Sequence, residues 1–119
     1  DWLTKDEAII NTCIHHPWST FRFTVNGYYQ MFRGIQYIQN PAHIQQIPKN
    51  LPLFFVAGGD DPVGNNGKSV TQVCQQYKAA GIQDVQIKLY PGDRHEILNE
   101  TDRDVVYADL LTWLNGHLA

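Results

Sequence analysis

The stretch from Leu51 to Tyr90 most constrains what this chain can fold into. Leu51 to Ala57 (LPLFFVA) is a short, almost continuous apolar run closed by Gly58-Gly59, as expected of a strand covered on both faces of a parallel sheet. From about Asn66 to Ala80, Val70, Val73, Cys74 and Tyr77 recur at i, i+3, i+4 and i+7, and Gly81 stands where a helix would stop. Val85 to Tyr90 (VQIKLY) alternates apolar with polar and ends at Pro91-Gly92, so it predicts a second strand with one more exposed face. Two strands joined by a helix are parallel with a right-handed crossover. Both strand ends then lie on one edge of the sheet, where ligand and catalytic groups of such sheets collect. The loop Gly58 to Gly67 and the loop Pro91 to Asn99 are therefore the first places to look for chemistry.

The rest of the chain reads as helices. Thr101 is the predicted N-cap of a last helix, with acidic residues in its first turn and a stripe of Val106, Leu110, Trp113, Leu114 and Leu118. In the first half, Thr4-Lys5-Asp6-Glu7 reads as a capping box opening a short helix to about Cys13, ended by His16-Pro17. Phe21 to Val25 alternates but is short. Asn26-Gly27 precedes a helix in which Tyr28, Phe32, Ile35 and Ile38 share a face, and Asn40-Pro41 ends it. Eight of the chain's aromatic residues fall within its first 40 positions, which fits an apolar lid and fits ordinary helix packing equally well.

Charge and cysteine usage exclude several function classes. The net charge is −3 and no Lys/Arg cluster is present, so the electrostatic footprint of a nucleic-acid binder is missing. Cys13 and Cys74 stand far apart without C-x-x-C spacing, which points to neither a disulfide framework nor a zinc site, and a cytoplasmic setting is the expectation. His15-His16 sits near Cys13 without a carboxylate at ligand spacing, so no metal or other cofactor is expected. No apolar run approaches the roughly 20 residues of a transmembrane helix. At 119 residues the chain is too short for two full domains. It starts at Asp1 rather than Met, so the protein is expected to begin further upstream.

Asp60-Asp61 follows the first predicted strand and Arg94-His95-Glu96 the second. A carboxylate bonded to an imidazole fixes its tautomer and stabilises the imidazolium formed when the histidine takes a proton from a nucleophile. Acid before histidine, each on a loop after a strand, is the order found in α/β-hydrolases. A nucleophile is harder to find. Gly67-Lys68-Ser69-Val70-Thr71 lacks the second Gly of G-x-S-x-G and lies about ten residues beyond the strand end, so Ser69 reads as a helix N-terminal residue. The same residues fail as a phosphate loop, because its first Gly would fall on Pro62.

Taken together, Leu51 to Gly64 (LPLFFVAGGDDPVG), Gly67, Lys88 to Glu100 (KLYPGDRHEILNE) and Trp113-Leu114 resemble the C-terminal part of α/β-hydrolases, in the branch of monoacylglycerol lipases and lysophospholipase-like serine hydrolases. Trp2 to Asp6 (WLTKD) and Phe23 to Tyr28 (FTVNGY) resemble the family's cap more weakly. The resemblance implies an α/β fold in which residues 51–119 form the C-terminal core portion, strand-helix-strand-helix, preceded by a mainly helical cap segment and connection over residues 1–50. It implies Asp61 as the catalytic acid and His95 as the catalytic histidine, Asp60 falling on a variable position. Trp18, Phe21, Phe23 and Tyr28 are the candidate substrate-binding residues. The family's G-x-S-x-G elbow and early oxyanion loop are not in this chain, so the expectation is part of a carboxylic ester hydrolase acting on an acylglycerol or lysophospholipid-like substrate. The partner expected is the nucleophile-bearing half or another copy of the chain. The rival expectations are a non-catalytic α/β module binding a small molecule or partner, and an α/β-hydrolase acting on a peptide or haloalkane.

Overall fold

The computed structural model describes residues 1–19 and 21–118. In chain order the elements are α1 (Glu7–His15), α2 (Val25–Ile38), α3 (Pro41–Ile44), β1 (Leu53–Gly58), α4 (Lys68–Ala79), β2 (Val85–Tyr90) and α5 (Arg103–Asn115), with single 3-10 turns at Pro17–Ser19 and Ile97–Asn99. β1 and β2 pair in parallel from Leu53 opposite Val85 to Gly58 opposite Tyr90. The parallel strand-helix-strand unit expected from the sequence is the one observed.

The two-residue period of the strands sorts side chains onto two faces. Leu53, Phe55 and Ile87 pack with Val85, Cys74, Tyr77, Ile82 and Ile47 on the α4 face. Val56 packs with Tyr90, Ile97, Val106 and Leu110 on the α5 face, where Phe54 also stacks on Trp113 with ring centroids 5.5 Å apart. A helix thus covers each face. β1 is nevertheless only half-buried along most of its length, and its second edge has no strand partner among the described residues. Leu51, Trp18 and much of α2 are likewise exposed, and α2 buries no residue.

Three helix starts differ from expectation, two of them where a side chain has a distant partner. Thr4 does not cap α1: its hydroxyl bonds the Asn99 carbonyl and Glu100, and Asp6 caps instead, its Oδ1 accepting from Ala8 N and Ile9 N. α5 begins after Asp102, not after a Thr101 cap, and Asp102 makes no side-chain cap bond because its carboxylate turns toward Lys5 Nζ, 3.5 Å away. α2 begins at Val25, ahead of Asn26-Gly27, because Thr24 Oγ1 accepts from Gly27 N. That helix absorbs the end of the alternating Phe21 to Val25 run, which forms no strand. Asn40 ends α2 and caps α3 through Ala42 N.

The C-terminal end of α5 is pinned by charge. His117 Nδ1 lies 2.6 Å from the Trp113 carbonyl and Nε2 lies 2.8 Å from Asp84 Oδ2. Two acceptors facing both ring nitrogens require the imidazolium, which donates to each. The Trp113 carbonyl and then Asp84 raise the His117 pKa above its ordinary 6.5, and the bond to His117 lowers the Asp84 pKa below its ordinary 3.8. A raised imidazole stabilises below 6.5 and loses that contribution as pH climbs through its folded value. A depressed carboxylate stabilises above 3.8 and loses its contribution in acid. Unfolding midpoints in urea are therefore expected to decline on the alkaline side of 6.5, and His117→Gln is expected to flatten that decline.

Candidate active site

Asp61 and His95 come together because the two strands end in register. Gly58 lies opposite Tyr90, and the pairing runs on into the loops through Gly59 N to the Tyr90 carbonyl at 2.7 Å and Asp60 N to the Asp93 carbonyl at 2.9 Å. This lacing needs Gly58, since a Cβ there would sit 2.1 Å from the Arg94 carbonyl oxygen and 2.3 Å from that of Asp93. Loop 59–67 then turns back through Asn65 and Asn66, both at φ 52°, to Gly67 at φ 79°. Gly67 meets both demands on that position, a left-handed backbone and a close approach to Leu89 Cδ1, 2.6 Å from where a Cβ would be.

Within this frame Asp61 is buried, and its two oxygens are divided between two tasks. Oδ1 accepts from Val63 N at 2.8 Å, an Asx turn that aims the carboxylate. Oδ2 accepts from His95 Nδ1 at 3.0 Å. The bond assigns the Nδ1–H tautomer to the neutral ring and leaves Nε2 as the free base, without a hydrogen-bond partner among the described residues. The His95 side chain remains 40% exposed. Both residues border a cavity of about 420 Å³ whose other walls include Phe55, Ala57, Val63, Val70 and Val73, together with Ser69. Ser69 is a first-turn residue of α4 and its hydroxyl makes no bond to His95 among the described residues, so it is not placed as a nucleophile.

The four candidate substrate-binding aromatics lie elsewhere. Trp18, Phe21, Phe23 and Tyr28 are all exposed, and none lines the Asp61–His95 cavity. Phe21, Phe23, Tyr28 and Phe32 instead form a ladder of rings with successive centroids 5.1, 5.4 and 6.4 Å apart.

Sequence reasoning missed the strap that supports the histidine loop. Residues 2–6 lie along residues 93–102: His95 N donates to the Trp2 carbonyl at 3.4 Å and Glu96 N to the Leu3 carbonyl at 2.8 Å. Glu100, wholly buried, accepts from Arg94 N at 2.7 Å, Lys5 N at 2.8 Å and Thr4 Oγ1 at 3.0 Å. Asp93, also buried, accepts from Lys5 Nζ at 2.6 Å. Burial pushes the Asp93 carboxyl up against the pull of Lys5, while the bond to Asp93 raises the Lys5 ammonium. Glu100 reads from sequence only as an acid near a helix start, because two of its three partners, Thr4 and Lys5, are about 95 positions away. Replacing Glu100 with Ala orphans three donors at once. The expected cost is about 3 kcal/mol, from roughly 1 kcal/mol or more per unsatisfied buried donor, measurable as a lower urea midpoint with unchanged slope.

Among the described residues no group of three or more His, Cys, Asp or Glu is placed to hold a metal ion, and no helix is long and apolar enough to cross a membrane.

The profile of the family described as "Serine aminopeptidase, S33" matches residues 1–102. A monoglyceride lipase of Saccharomyces cerevisiae is 34% identical over 92 residues, which is 73% of this chain and 28% of that protein. A monoacylglycerol lipase of Mycolicibacterium smegmatis is 34% identical over 70 residues, 56% of this chain and 22% of that protein. Among solved structures, a thermostable carboxyl esterase from Bacillus coagulans, in complex with glycerol, superposes with a TM-score of 0.88 at 30% identity over 98% of this chain and 38% of the esterase. A soluble variant of the yeast monoglyceride lipase, in complex with a substrate analogue, superposes with a TM-score of 0.74 at 24% identity, covering 98% of this chain and 41% of that one, a likeness of fold. The chain thus spans about a quarter of the length of the curated relatives it matches.

Proposed function

This chain belongs to the serine aminopeptidase, S33 family of α/β-hydrolases, and on that premise we propose that it supplies the acid and the base of a serine hydrolase that cleaves carboxylic esters, of an acylglycerol or lysophospholipid-like kind. The observation that carries this reading is the 3.0 Å bond from His95 Nδ1 to Asp61 Oδ2, with Nε2 left free beside a cavity. A non-catalytic binding module has no need for that contact.

In the proposed mechanism a serine from the part of the protein that precedes Asp1 attacks the acyl carbonyl. His95 Nε2 accepts the serine proton and passes it to the departing alcohol, then repeats the transfer with water to release the acid. Asp61 holds the ring in the tautomer that keeps Nε2 basic and stabilises the imidazolium that forms. Residues 1–50 serve as cap and connection and residues 51–119 as the C-terminal core, with Trp18, Phe21, Phe23 and Tyr28, which lie outside the Asp61–His95 cavity, lining the acyl chain's path beyond it. The half-buried β1 and its open edge are covered by the nucleophile-bearing half, since an unpaired strand edge is a poor surface to leave in water.

Two experiments test this. The preceding coding sequence should carry a G-x-S-x-G elbow, and its absence would sink the proposal. The 119-residue chain alone should show no turnover of a short-chain nitrophenyl ester, since loss of the nucleophile removes about 10⁶ of kcat. Turnover by the chain alone that disappears in His95→Ala would overturn the assignment of the nucleophile to the other half.

A further inference from the structure

We propose that Trp2 is a positioning residue for His95, its indole supplying the support that Asp61 cannot. The proposal rests on the base assignment above. One hydrogen bond from Nδ1 leaves an imidazole free to swing about that bond, and the His95 side chain is 40% exposed on a loop. The Trp2 ring stands against it with centroids 5.1 Å apart and planes tilted by 52°, within the reach at which an aromatic ring also attracts an imidazolium.

Trp2 is held to this task by the backbone rather than by a core. Its carbonyl accepts from His95 N, so indole and imidazole hang from the same backbone contact. Two residues on, Thr4 is wholly buried and tied to Glu100, and Lys5 is tied to Asp93. The strap is therefore anchored in buried polar groups, while Trp2 itself stays 51% exposed. Its ring contact is with the side chain whose Nε2 has no hydrogen-bond partner among the described residues.

The test compares Trp2→Ala, Trp2→Leu and Trp2→Phe in the full-length protein, reading kcat and KM on a short-chain nitrophenyl ester together with the rate at which diethyl pyrocarbonate modifies His95, followed by peptide mass. Trp2→Ala and Trp2→Leu are expected to lower kcat roughly 10- to 100-fold with KM little changed, the scale of a small misplacement of a reacting group. Trp2→Phe is expected to recover most of that loss, and His95 to be modified faster in the Ala and Leu variants. Leu keeps the apolar bulk, so it decides the matter if Ala impairs folding. The proposal is overturned if kcat and the modification rate stay near wild type, if KM moves instead of kcat, or if Phe fails to recover what Leu loses. Turnover that survives in His95→Ala would defeat the base assignment instead, and the modification rate would still report on the indole contact.

Discussion

Asp61→Asn in the full-length protein is expected to lower kcat for an ester about 10⁴-fold while leaving the fold and KM near wild type. The magnitude follows from what the carboxylate does. Its Oδ2 accepts the proton on His95 Nδ1, and an amide that presents its NH₂ there turns the ring to the tautomer whose Nε2 already carries hydrogen and cannot act as a base. The substitution is nearly isosteric, and the Val63 N bond that shapes the turn can still be made to the remaining oxygen. His95→Ala should be more severe, about 10⁶-fold, because it removes the proton acceptor altogether. The neighbouring Asp60 supplies the internal control. It is exposed and contributes a backbone N–H to the loop lacing, so Asp60→Asn should leave kcat near wild type. Equal losses at Asp60 and Asp61 would refute the division of roles.

Gly58→Ala is expected to be the most damaging substitution for the fold. The added Cβ would fall 2.1 and 2.3 Å from two carbonyl oxygens of the His95 loop, and those oxygens belong to backbone that is itself fixed. The Asp93 carbonyl accepts from Asp60 N, and Arg94 N is bound by buried Glu100. Overpacking against side chains costs up to about 3 kcal/mol; against backbone with no rotamer to yield, about 3 kcal/mol or more is expected, which for a domain near this size lowers Tm by roughly 10 °C or more. A variant that still folds would have to part the loops, so the His95 to Asp61 bond should lengthen and kcat fall with it. A melting curve near wild type would show that the lacing between Gly58 and residues 93–94 is not as tight as described.

What was legible beforehand can be traced to particular residues. β2 runs from Val85 to Tyr90 as its alternation predicts, and α4 stops at the Gly81 turn. That the loop of Asp60-Asp61 meets the loop of His95 followed from two local readings joined by one topological rule, that a strand-helix-strand unit is parallel and right-handed, and the resemblance chose Asp61 between the two acids. Helix beginnings were the weak point. Thr4 and Thr101 were both reasonable caps by type, yet neither caps: Thr4 is bonded to Glu100, and the N-cap position of α5 falls on Asp102, whose carboxylate faces Lys5. The aromatic residues of the first half gave no means of choosing between lid and packing, and in the fold four of them, Phe21, Phe23, Tyr28 and Phe32, form a ring ladder outside the Asp61–His95 cavity while Trp2 stands against His95.

The sequence by itself determined the α/β order, the sheet edge where chemistry gathers, and that Asp60-Asp61 and His95 stand on it, the choice of Asp61 over Asp60 coming from the family resemblance. These rest on periodicities of 2.0 and 3.6 residues and on turn residues within a few positions of one another, all of which a chain carries locally. Only the tertiary structure decided how the histidine is held. Thr4 meets Glu100 across 96 positions, Lys5 meets Asp93 across 88, and Trp2 meets His95 across the same kind of gap. No local pattern encodes such pairs. The first two are selected by the requirement that buried polar groups find partners, which acts only once the strap and the loop have been brought together, and the Trp2 contact follows from that same docking.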